Sequence, residues 1–351
     1  MDDTILTPRQ KHIVNLINQS EGLLREEIHK EIVSLYPVSK ITLIRDLNIL
    51  LKNKFIKSQG RARATKYLSK IENPLLRQFN LESYFINDSD SRKNVKKTFD
   101  FKIVNYLSGL FSQQEIEELK KISHSFKKET DKLNQDILKR ELERFVIELS
   151  WKSSKIEGNT YSLLETETLI KEQKTAVGKS KEEAVMILNH KIVFEEILKN
   201  KNDFKILSIS KVNQLLNLLI KDLNVTTGIR RQAVGITGTT YQPLDNEHQL
   251  KEVFEKTIQV INDTINVFDK SFIAHFMIPY IQPYSNGNKR TARMLTNAIF
   301  LAYDLFPLSY RSINEDNFKK ALILFYEQGS VFEIKKIFIE QLKFANKTYF
   351  R

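Results

Sequence analysis

Apolar residues recur at helical spacing along most of this sequence and predict a mainly α-helical protein. At the N-terminal end, the pattern indicates three short helices, over residues 8–19, 24–35 and 40–53. Pro8 stands in the first turn of the first helix, Pro37 breaks the second, and Ser39 caps the third. The predicted buried stripe of the third helix follows the same spacing: Ile41, Ile44, Leu47 and Leu51.

A short β-hairpin is predicted to follow the third helix. Residues 55–57 and 65–68 have the composition of strands, and the turn between them holds Gly60, Arg61 and Arg63. Three helices followed by a basic-tipped hairpin are typical of a winged helix-turn-helix, which we assign to residues 1–70. In such a domain the third helix enters the major groove of DNA, and the hairpin tip reaches adjacent phosphates.

The positive charge of the chain is concentrated in this domain. The net charge is +12, and residues 39–70 hold nine lysine or arginine side chains against one acid, Asp46. Such a concentration indicates a polyanion partner. The segment also resembles the recognition helix and wing of bacterial winged-helix regulators. Binding of double-stranded DNA is therefore predicted through a basic and polar set: Lys40, Thr42, Arg45, Asn48, Arg61 and Arg63. The alternative is a winged helix that docks onto another protein, in which case the basic wing is incidental.

The rest of the chain is predicted to be a linker followed by a helical domain. Residues 71–97 are polar and weakly patterned, whereas residues 98–351 return to helical spacing. The helices predicted there cover residues 113–126, 134–156, 181–198, 210–223, 247–267, 271–281, 294–303, 314–327 and 331–345. Residues 230–243, RRQAVGITGTTYQP, combine β-branched residues with two glycines and a terminal proline. We predict that they form a β-hairpin inside the helical domain.

The segment IQPYSNGNKRTAR, residues 281–293, carries the pattern of an anion site. Pro283 stops the preceding helix, and Gly287 gives the following loop its conformational freedom. A new helix begins near Lys289, and the free N–H groups at a helix start attract anions. Arg290 and Arg293 are neighbours on the helix surface because they are three residues apart. The segment therefore predicts phosphate binding, with a basic surface helix as the alternative.

Residues 282–293, QPYSNGNKRTAR, resemble the Fic signature, H-P-F-x-D/E-G-N-G/K-R-x-x-R. Far upstream, residues 153–159, SSKIEGN, resemble the S/T-x-x-x-E-G/N inhibitory motif of Fic proteins. The segment at 230–243 stands where Fic proteins carry the flap that aligns a target peptide. The resemblance extends over about residues 98–351, and it implies an all-helical Fic domain with a β-hairpin flap. The inhibitory helix would cover about residues 141–158.

The resemblance also implies an activity and its residues. Fic proteins bind ATP with Mg²⁺ and transfer AMP to a hydroxyl side chain of a target protein. The nucleotide-binding set by position is Asn286, Gly287, Asn288, Lys289, Arg290 and Arg293. The implied flap residues are Val234, Gly235, Ile236, Thr237 and Gly238. The inhibitory set is Ser153, Glu157 and Gly158. In this scheme Glu157 pairs with Arg293 and misplaces the γ-phosphate, which keeps the enzyme off.

Two positions depart from the signature. Gln282 replaces the histidine that takes the proton from the target hydroxyl, and a carboxamide has no usable basicity near neutral pH. Asn286 replaces the acid that binds Mg²⁺, and a hard cation prefers a charged oxygen. Gln282 is therefore expected to be a non-functional catalytic position, and Asn286 a weakened metal ligand. Two histidines of the domain, His190 and His275, are expected to be structural.

Three functions are compatible with these residues. The first is a nucleotide-binding, catalytically impaired Fic protein that acts as a DNA-binding regulator. The second is an active, auto-inhibited AMP transferase that modifies itself or a DNA-associated target. The third, hydrolytic removal of AMP with Glu157 positioning water, ranks last because such relatives also need the histidine.

Composition narrows the cellular setting. The sequence holds no cysteine, which excludes disulfides and thiolate metal sites. No apolar run reaches the roughly 20 residues that span a bilayer, and the N-terminus lacks the features of a signal peptide. We therefore expect a cytoplasmic protein without membrane association. Winged-helix regulators often dimerise, so a homodimer is an open alternative.

Overall fold

The computed structural model describes residues 6–20 and 22–350. The chain divides into two compact units, Met1–Ile86 and Asn87–Arg351. Helices dominate both units, so the predicted mainly α-helical class is confirmed. Within the described residues, no helix combines the length and the apolar character that crossing a membrane requires.

The N-terminal unit contains three helices and a small antiparallel sheet. Its elements are α1 (Pro8–Asn18), β1 (Leu23–Leu24), α2 (Arg25–Val33), α3 (Lys40–Lys52), β2 (Ile56–Gln59), β3 (Lys66–Ser69) and the short α4 (Leu81–Tyr84). Strand β3 lies between β1 and β2, with Tyr67 opposite both Leu23 and Ser58. The sequence analysis predicted β2 and β3 but not β1. Residues 71–86, inside the predicted linker, belong to this unit and contain the buried Leu75.

The buried face of α3 differs from the predicted stripe. Leu43, Leu47 and Leu50 are fully buried, whereas Ile41 is 64% exposed. Asp46 also lies on the buried face, where it accepts hydrogen bonds from Arg9 Nε at 2.6 Å and Gln10 Nε2 at 3.0 Å. The periodicity of the sequence is right, but its phase is wrong, because a paired aspartate occupies a position that hydropathy alone assigns to solvent.

The C-terminal unit is an assembly of helices. They are α5 (Gln113–Ile122), α6 (Phe126–Asp131), α7 (Gln135–Ile156), α8 (Leu163–Glu172), α9 (Lys181–Lys199), α10 (Ile209–Leu219), α11 (Glu247–Asp263), α12 (Val267–Ile281), α13 (Asn288–Ala302), α14 (Glu315–Gln328) and α15 (Phe332–Thr348). The sequence analysis missed α8. Helices α12 and α13 pack together at the centre, and α12 is buried from Phe268 to Ile281. The loop between these two helices is consequently held by a rigid core.

The prediction of a β-hairpin at residues 230–243 is wrong. This segment is called the flap below. No strand forms there, and Gln242 makes only an isolated bridge to Thr98. The flap instead follows the surface of its neighbours, where the Tyr241 ring stacks on Tyr280 and Tyr326 with centroids 5.2 and 5.5 Å apart. The β-branched composition suggested strands, but tertiary packing of one aromatic residue determines the path of the segment.

Candidate functional site

The loop between α12 and α13, residues 282–287, is shaped by two residues with left-handed backbones. Gln282 ends α12 with φ 53°, and Gly287 caps α13 with φ 82°. A Cβ on Gly287 would lie 3.0 Å from Leu216 Cδ1, so both the backbone angle and the close packing favour glycine there. The first N–H groups of α13 lack intrahelical acceptors, and the loop leaves this positive end of the helix open.

Both ends of the Gln282 amide are engaged in the loop itself. Its Nε2 donates to the carbonyl of Pro279 at 2.8 Å, and its Oε1 accepts from Asn288 Nδ2 at 2.8 Å. Asn288 is also bound to the backbone of Tyr284, through Nδ2 at 2.8 Å and Oδ1 at 3.0 Å. These two side chains stabilise the loop. Because the Asn288 side chain is engaged there, only its backbone can make the predicted contact with phosphate.

Asn286 does not fit the role of a magnesium ligand. Its Oδ1 accepts the N–H of Gly287 at 2.6 Å and faces Arg290 Nη2 at 3.4 Å. The oxygen is thus directed at donors and carries no charge with which to attract a hard cation. Residues 6–20 and 22–350 contain no cluster of three acidic or histidine side chains suited to a metal ion.

Arg293 is held by the inhibitory motif, residues 153–158. Its Nη2 donates to Glu157 Oε1 at 2.8 Å and to the Ser153 carbonyl at 2.9 Å, while Nε donates to Ser153 Oγ at 2.9 Å. Lys289 reaches the other oxygen of Glu157 at 3.2 Å. The guanidinium is 1% exposed, and its Nη1 has no hydrogen-bond partner among the described residues. The predicted pairing of Glu157 with Arg293 is present in the structure.

The Glu157 carboxylate is ionised in this arrangement. Burial by itself raises its pKa, but the charges of Arg293 and Lys289 outweigh burial and lower the pKa to about 2. A carboxyl group with a depressed pKa stabilises the folded protein at every pH above the pKa that it has in the unfolded chain. This stabilisation is lost only as the pH falls from that value towards 2. The contact between Glu157 and Arg293 therefore persists throughout the neutral and mildly acidic range.

This ionisation predicts a pH-independent inhibition. The ratio of ATP affinities between Glu157→Gly and wild type should stay constant from pH 8 to pH 5, because Glu157 does not titrate there. Calorimetric titrations at four pH values would measure it. Titration of the phosphates cancels in the ratio, so a ratio that shrinks towards pH 5 would show that Glu157 is protonated in the folded protein.

A cavity of about 490 Å³ opens beside the inhibitory motif and the loop. Its wall includes residues 156–158, the flap residues Gly235, Ile236 and Thr237, Gln282, and residues 285–289. Arg290 and Arg293 do not line it. Arg290 is 2% exposed and donates to the Leu219 carbonyl at 3.1 Å, and burial lowers its pKa to about 10. The sequence analysis placed both arginines at the ligand, whereas the structure places them behind the cavity wall. Val234 and Gly238 also lie outside the wall.

One face of α14 completes the cavity, and the sequence analysis did not identify it. The residues of this face follow helical spacing: Lys319, Leu322, Ile323 and Tyr326. Tyr326 is 1% exposed, yet its hydroxyl has no hydrogen-bond partner among the residues described. Burial raises the pKa of this phenol, so it is neutral and can donate a hydrogen bond. The i, i+3, i+4, i+7 spacing could have indicated the face, but not the cavity it borders.

Two histidines of this domain, His190 and His275, are buried. His275 stacks on Tyr310 with ring centroids 5.7 Å apart, and burial lowers its pKa to about 3. His190 lies behind the inhibitory motif, where Met186 and Ser153 bind its two ring nitrogens. Neither side chain borders the cavity, so neither replaces the missing base at position 282.

The N-terminal unit presents the predicted DNA-contacting set on its surface. Arg45, Asn48, Arg61 and Arg63 are exposed, and Thr42 is half-buried beside Ser39. Lys40 is exposed and pairs with Glu26 at 2.7 Å. Asp46, the one acid of residues 39–70, is buried and bound to Arg9, so it offsets little of the exposed positive charge. The 3₁₀ turn Ala62–Ala64 lies between β2 and β3, in the segment 59–64 that was predicted to be the tip of a wing.

Comparison with known proteins connects the cavity to one family. Residues 206–300 match the Fic/DOC family model. Protein adenylyltransferases Fic of Nematostella vectensis and Aedes aegypti are 25% and 27% identical over 191 and 170 residues. These matches cover 50% and 47% of this chain but 42% and 34% of the relatives, so the chain matches less than half the length of either protein.

Solved structures show the same fold. A Fic domain-containing signalling protein of Bacteroides thetaiotaomicron superimposes with a TM-score of 0.53 at 20% identity, covering 66% of this chain and 95% of that protein. Fic-1 of Caenorhabditis elegans superimposes with a TM-score of 0.55 at 18% identity, covering 70% and 80%. The family match includes the loop at residues 282–287 and the start of α13. Residues 206–300 therefore correspond to a Fic/DOC domain, as the signature predicted.

Proposed function

We propose that this protein binds a nucleotide in its Fic cavity, transfers AMP poorly, and acts as a DNA-binding regulator. The observation that carries the proposal is the state of Gln282. Its amide stands at the position of the proton acceptor, has no useful basicity, and is engaged at both ends by Pro279 and Asn288. By contrast, the N-terminus of α13 and Lys289 still border the cavity.

The cavity has the chemistry of a nucleotide site. Its volume of about 490 Å³ lies within the range of small-molecule sites. The open N-terminus of α13 and the Lys289 ammonium favour phosphate at one side. Leu322 and Ile323 supply an apolar wall beside Tyr326. The Tyr326 hydroxyl is buried without a partner among the described residues, and in this proposal it donates to the ligand once the ligand enters. ATP fits this set of groups, with its phosphates at the loop.

Tyr326→Phe should separate ligand binding from folding. The hydroxyl has no hydrogen-bond partner within residues 6–20 and 22–350, so its removal should leave the melting temperature unchanged or raise it. If the hydroxyl bonds to the ligand, ATP affinity should fall roughly 3- to 10-fold. Calorimetry and thermal melting measure the two effects.

Tyr349→Phe is the matched control for that variant. Its hydroxyl is hydrogen-bonded to Glu148 and Ser309 outside the cavity. Its loss should cost about 1–3 kcal/mol of stability and leave ATP affinity unchanged. An ATP affinity of Tyr326→Phe equal to wild type would remove Tyr326 from the ligand site.

Several features of the N-terminal unit support the proposed binding of DNA. Residues 39–70 hold nine basic side chains against one buried acid, and Arg45 and Asn48 are exposed on α3. Arginine and asparagine side chains on such a helix read base edges, while the arginines of a wing reach phosphates. Ile41 and Ile49 are exposed on the same helix. They suit contact with thymine methyl groups, and they would also suit the protein-docking alternative.

Wing and helix variants should affect DNA binding in different ways. Arg61→Ala/Arg63→Ala should weaken binding equally across sequences and make the salt slope shallower by about 2. Arg45→Ala or Asn48→Ala should change sequence preference instead. Lys120→Ala/Lys121→Ala, on exposed α5, removes the same charge elsewhere and should have no effect. Binding to labelled duplexes at several salt concentrations distinguishes these outcomes. If none of the variants alters it, the DNA surface is misplaced.

The segment that follows the N-terminal unit is bound to the flap and to α14. Arg92 donates to the Gly238 carbonyl and forms an ion pair with Glu327 at 3.0 Å. The Gln242 N–H donates to the Lys97 carbonyl at 2.8 Å. A ligand that moves the flap would therefore move the chain segment that begins at Asn87. This connection supports a regulator whose DNA-binding unit responds to nucleotide.

The second candidate is an active, auto-inhibited AMP transferase acting on itself or on a DNA-associated target. The Glu157–Arg293 pair favours it, because an inhibitory contact has an obvious use in an active enzyme. The experiment that separates the two is AMP transfer from α-labelled ATP by wild type, Glu157→Gly, and Glu157→Gly/Gln282→His. The proposal expects transfer only from the last variant. Robust transfer by either of the others would establish the second candidate.

A further inference from the structure

A chain of buried polar groups runs from α9 to the inhibitory motif. His190 Nδ1 lies 2.7 Å from the Met186 carbonyl, and its Nε2 lies 2.8 Å from Ser153 Oγ. Ser153 Oγ in turn accepts from Arg293 Nε at 2.9 Å. His190 and Ser153 are fully buried, so water does not share in these contacts.

The chemistry of the groups sets the direction of every hydrogen bond in this chain. A carbonyl only accepts, so Nδ1 of His190 carries the proton and donates to Met186. Burial, with the nearby charge of Arg290, lowers the pKa of His190 to about 3, so the ring is neutral and Nε2 is an acceptor. The Ser153 hydroxyl must then donate to His190, and its lone pairs face Arg293.

We propose that His190 is a positioning residue that acts through Ser153 to hold the Arg293 guanidinium towards the place of the Glu157 carboxylate, which borders the cavity. The inference rests on the nucleotide site proposed above. Without the acceptor at Nε2, the hydroxyl can rotate and direct its hydrogen at the guanidinium. When His190 Nε2 accepts from Ser153, Arg293 keeps its orientation after Glu157 withdraws. Nη1 and Nη2 of Arg293 are then both available to a terminal phosphate.

The proposed role of His190 applies when Glu157 no longer holds Arg293. The test variants therefore all carry Glu157→Gly as well. There, Ser153→Ala and His190→Leu should each lower ATP affinity about tenfold. AMP affinity should not change, because AMP lacks the outer phosphates. His190→Gln, whose amide oxygen can accept from Ser153, should retain most of the ATP affinity. Combining Ser153→Ala with His190→Leu should cost no more than Ser153→Ala alone.

Ser154→Ala is the matched control. Ser154 is the neighbouring buried serine, and it lies 3.4 Å from His190 Nδ1 without contacting Arg293. The control should leave both affinities unchanged. Equal losses for ATP and AMP, additive losses in the double variant, or no loss of ATP affinity would overturn the inference. If His190→Leu does not fold, Ser153→Ala, which removes one hydroxyl, carries the same comparison.

Nitrogen NMR tests the chain of hydrogen bonds without any nucleotide. In the full-length protein, His190 should be the Nδ1–H tautomer at neutral pH, and the Arg293 Nε–H should exchange slowly. Ser153→Ala should accelerate that exchange, whereas Ser154→Ala should not. An Nε2–H tautomer or an imidazolium would overturn the inference. If the NMR result is as expected but the protein does not bind ATP, only the proposed function is contradicted.

Discussion

Glu157→Gly/Gln282→His should transfer AMP from ATP about 10²- to 10⁴-fold faster than Glu157→Gly, because it regains a general base at the reacting position. The backbone of Gln282 is left-handed, with φ 53°, and histidine is among the residues that tolerate this conformation. Asn288 would keep its hydrogen bond to the Tyr284 carbonyl at 2.8 Å, so the loop retains a bond that stabilises it.

Two further variants make this transfer assay decisive. Glu157→Gly/Gln282→Ala loses the same amide without gaining a base, and it should remain as inactive as Glu157→Gly. Adding Asn286→Asp to the active variant restores a charged oxygen near the phosphates and should increase transfer further when Mg²⁺ is present. If the variant with both Gln282→His and Asn286→Asp binds ATP but stays inactive, the protein has lost more than its base and its metal-binding charge.

Glu157→Gly alone should raise ATP affinity roughly 10- to 100-fold while leaving AMP affinity unchanged. The substitution frees Arg293, which is otherwise held at 2.8 Å, and also frees Lys289. Hydrogen bonds between charged groups contribute about 1.5–3 kcal/mol, which corresponds to this range of affinity. Calorimetry with ATP, ADP and AMP measures the dependence on the outer phosphates.

The control for this affinity change is Glu315→Gln. Glu315 pairs with Lys152 at 2.6 Å and does not line the cavity, so the variant removes a charge from the same domain without releasing Arg293. Its ATP affinity should equal that of wild type. An unchanged ATP affinity in Glu157→Gly would mean that the Glu157–Arg293 pair does not compete with phosphate.

Much of the site could be predicted from local sequence. Pro283 and Gly287 act through their own backbones, so the end of α12 and the start of α13 were placed within about a residue. The Glu157–Arg293 pair was predicted as well, although only through the family motif. No local rule connects two residues separated by 136 positions in the chain.

Other features could not be predicted, and each depends on contacts between distant segments. The flap composition favours strands, but stacking of Tyr241 on Tyr280 and Tyr326 gives it another path. Ile41 was assigned to the core of α3, yet the paired Asp46 occupies the buried face instead. Hydropathy describes one residue at a time, whereas the partner that stabilises a buried polar group is set by tertiary structure.

The sequence by itself determined the helical class, the basic N-terminal segment, the loop between α12 and α13 and the presence of glutamine at position 282. These properties belong to single residues or to short spacings, so they can be inferred from the sequence without the tertiary structure. Only the tertiary structure decided that Arg290 and Arg293 lie behind the cavity wall, that the Tyr326 hydroxyl is buried without a partner among the described residues, and that His190 contacts Ser153. Burial and hydrogen-bond direction arise from segments distant in sequence, and these segments meet only in the folded chain.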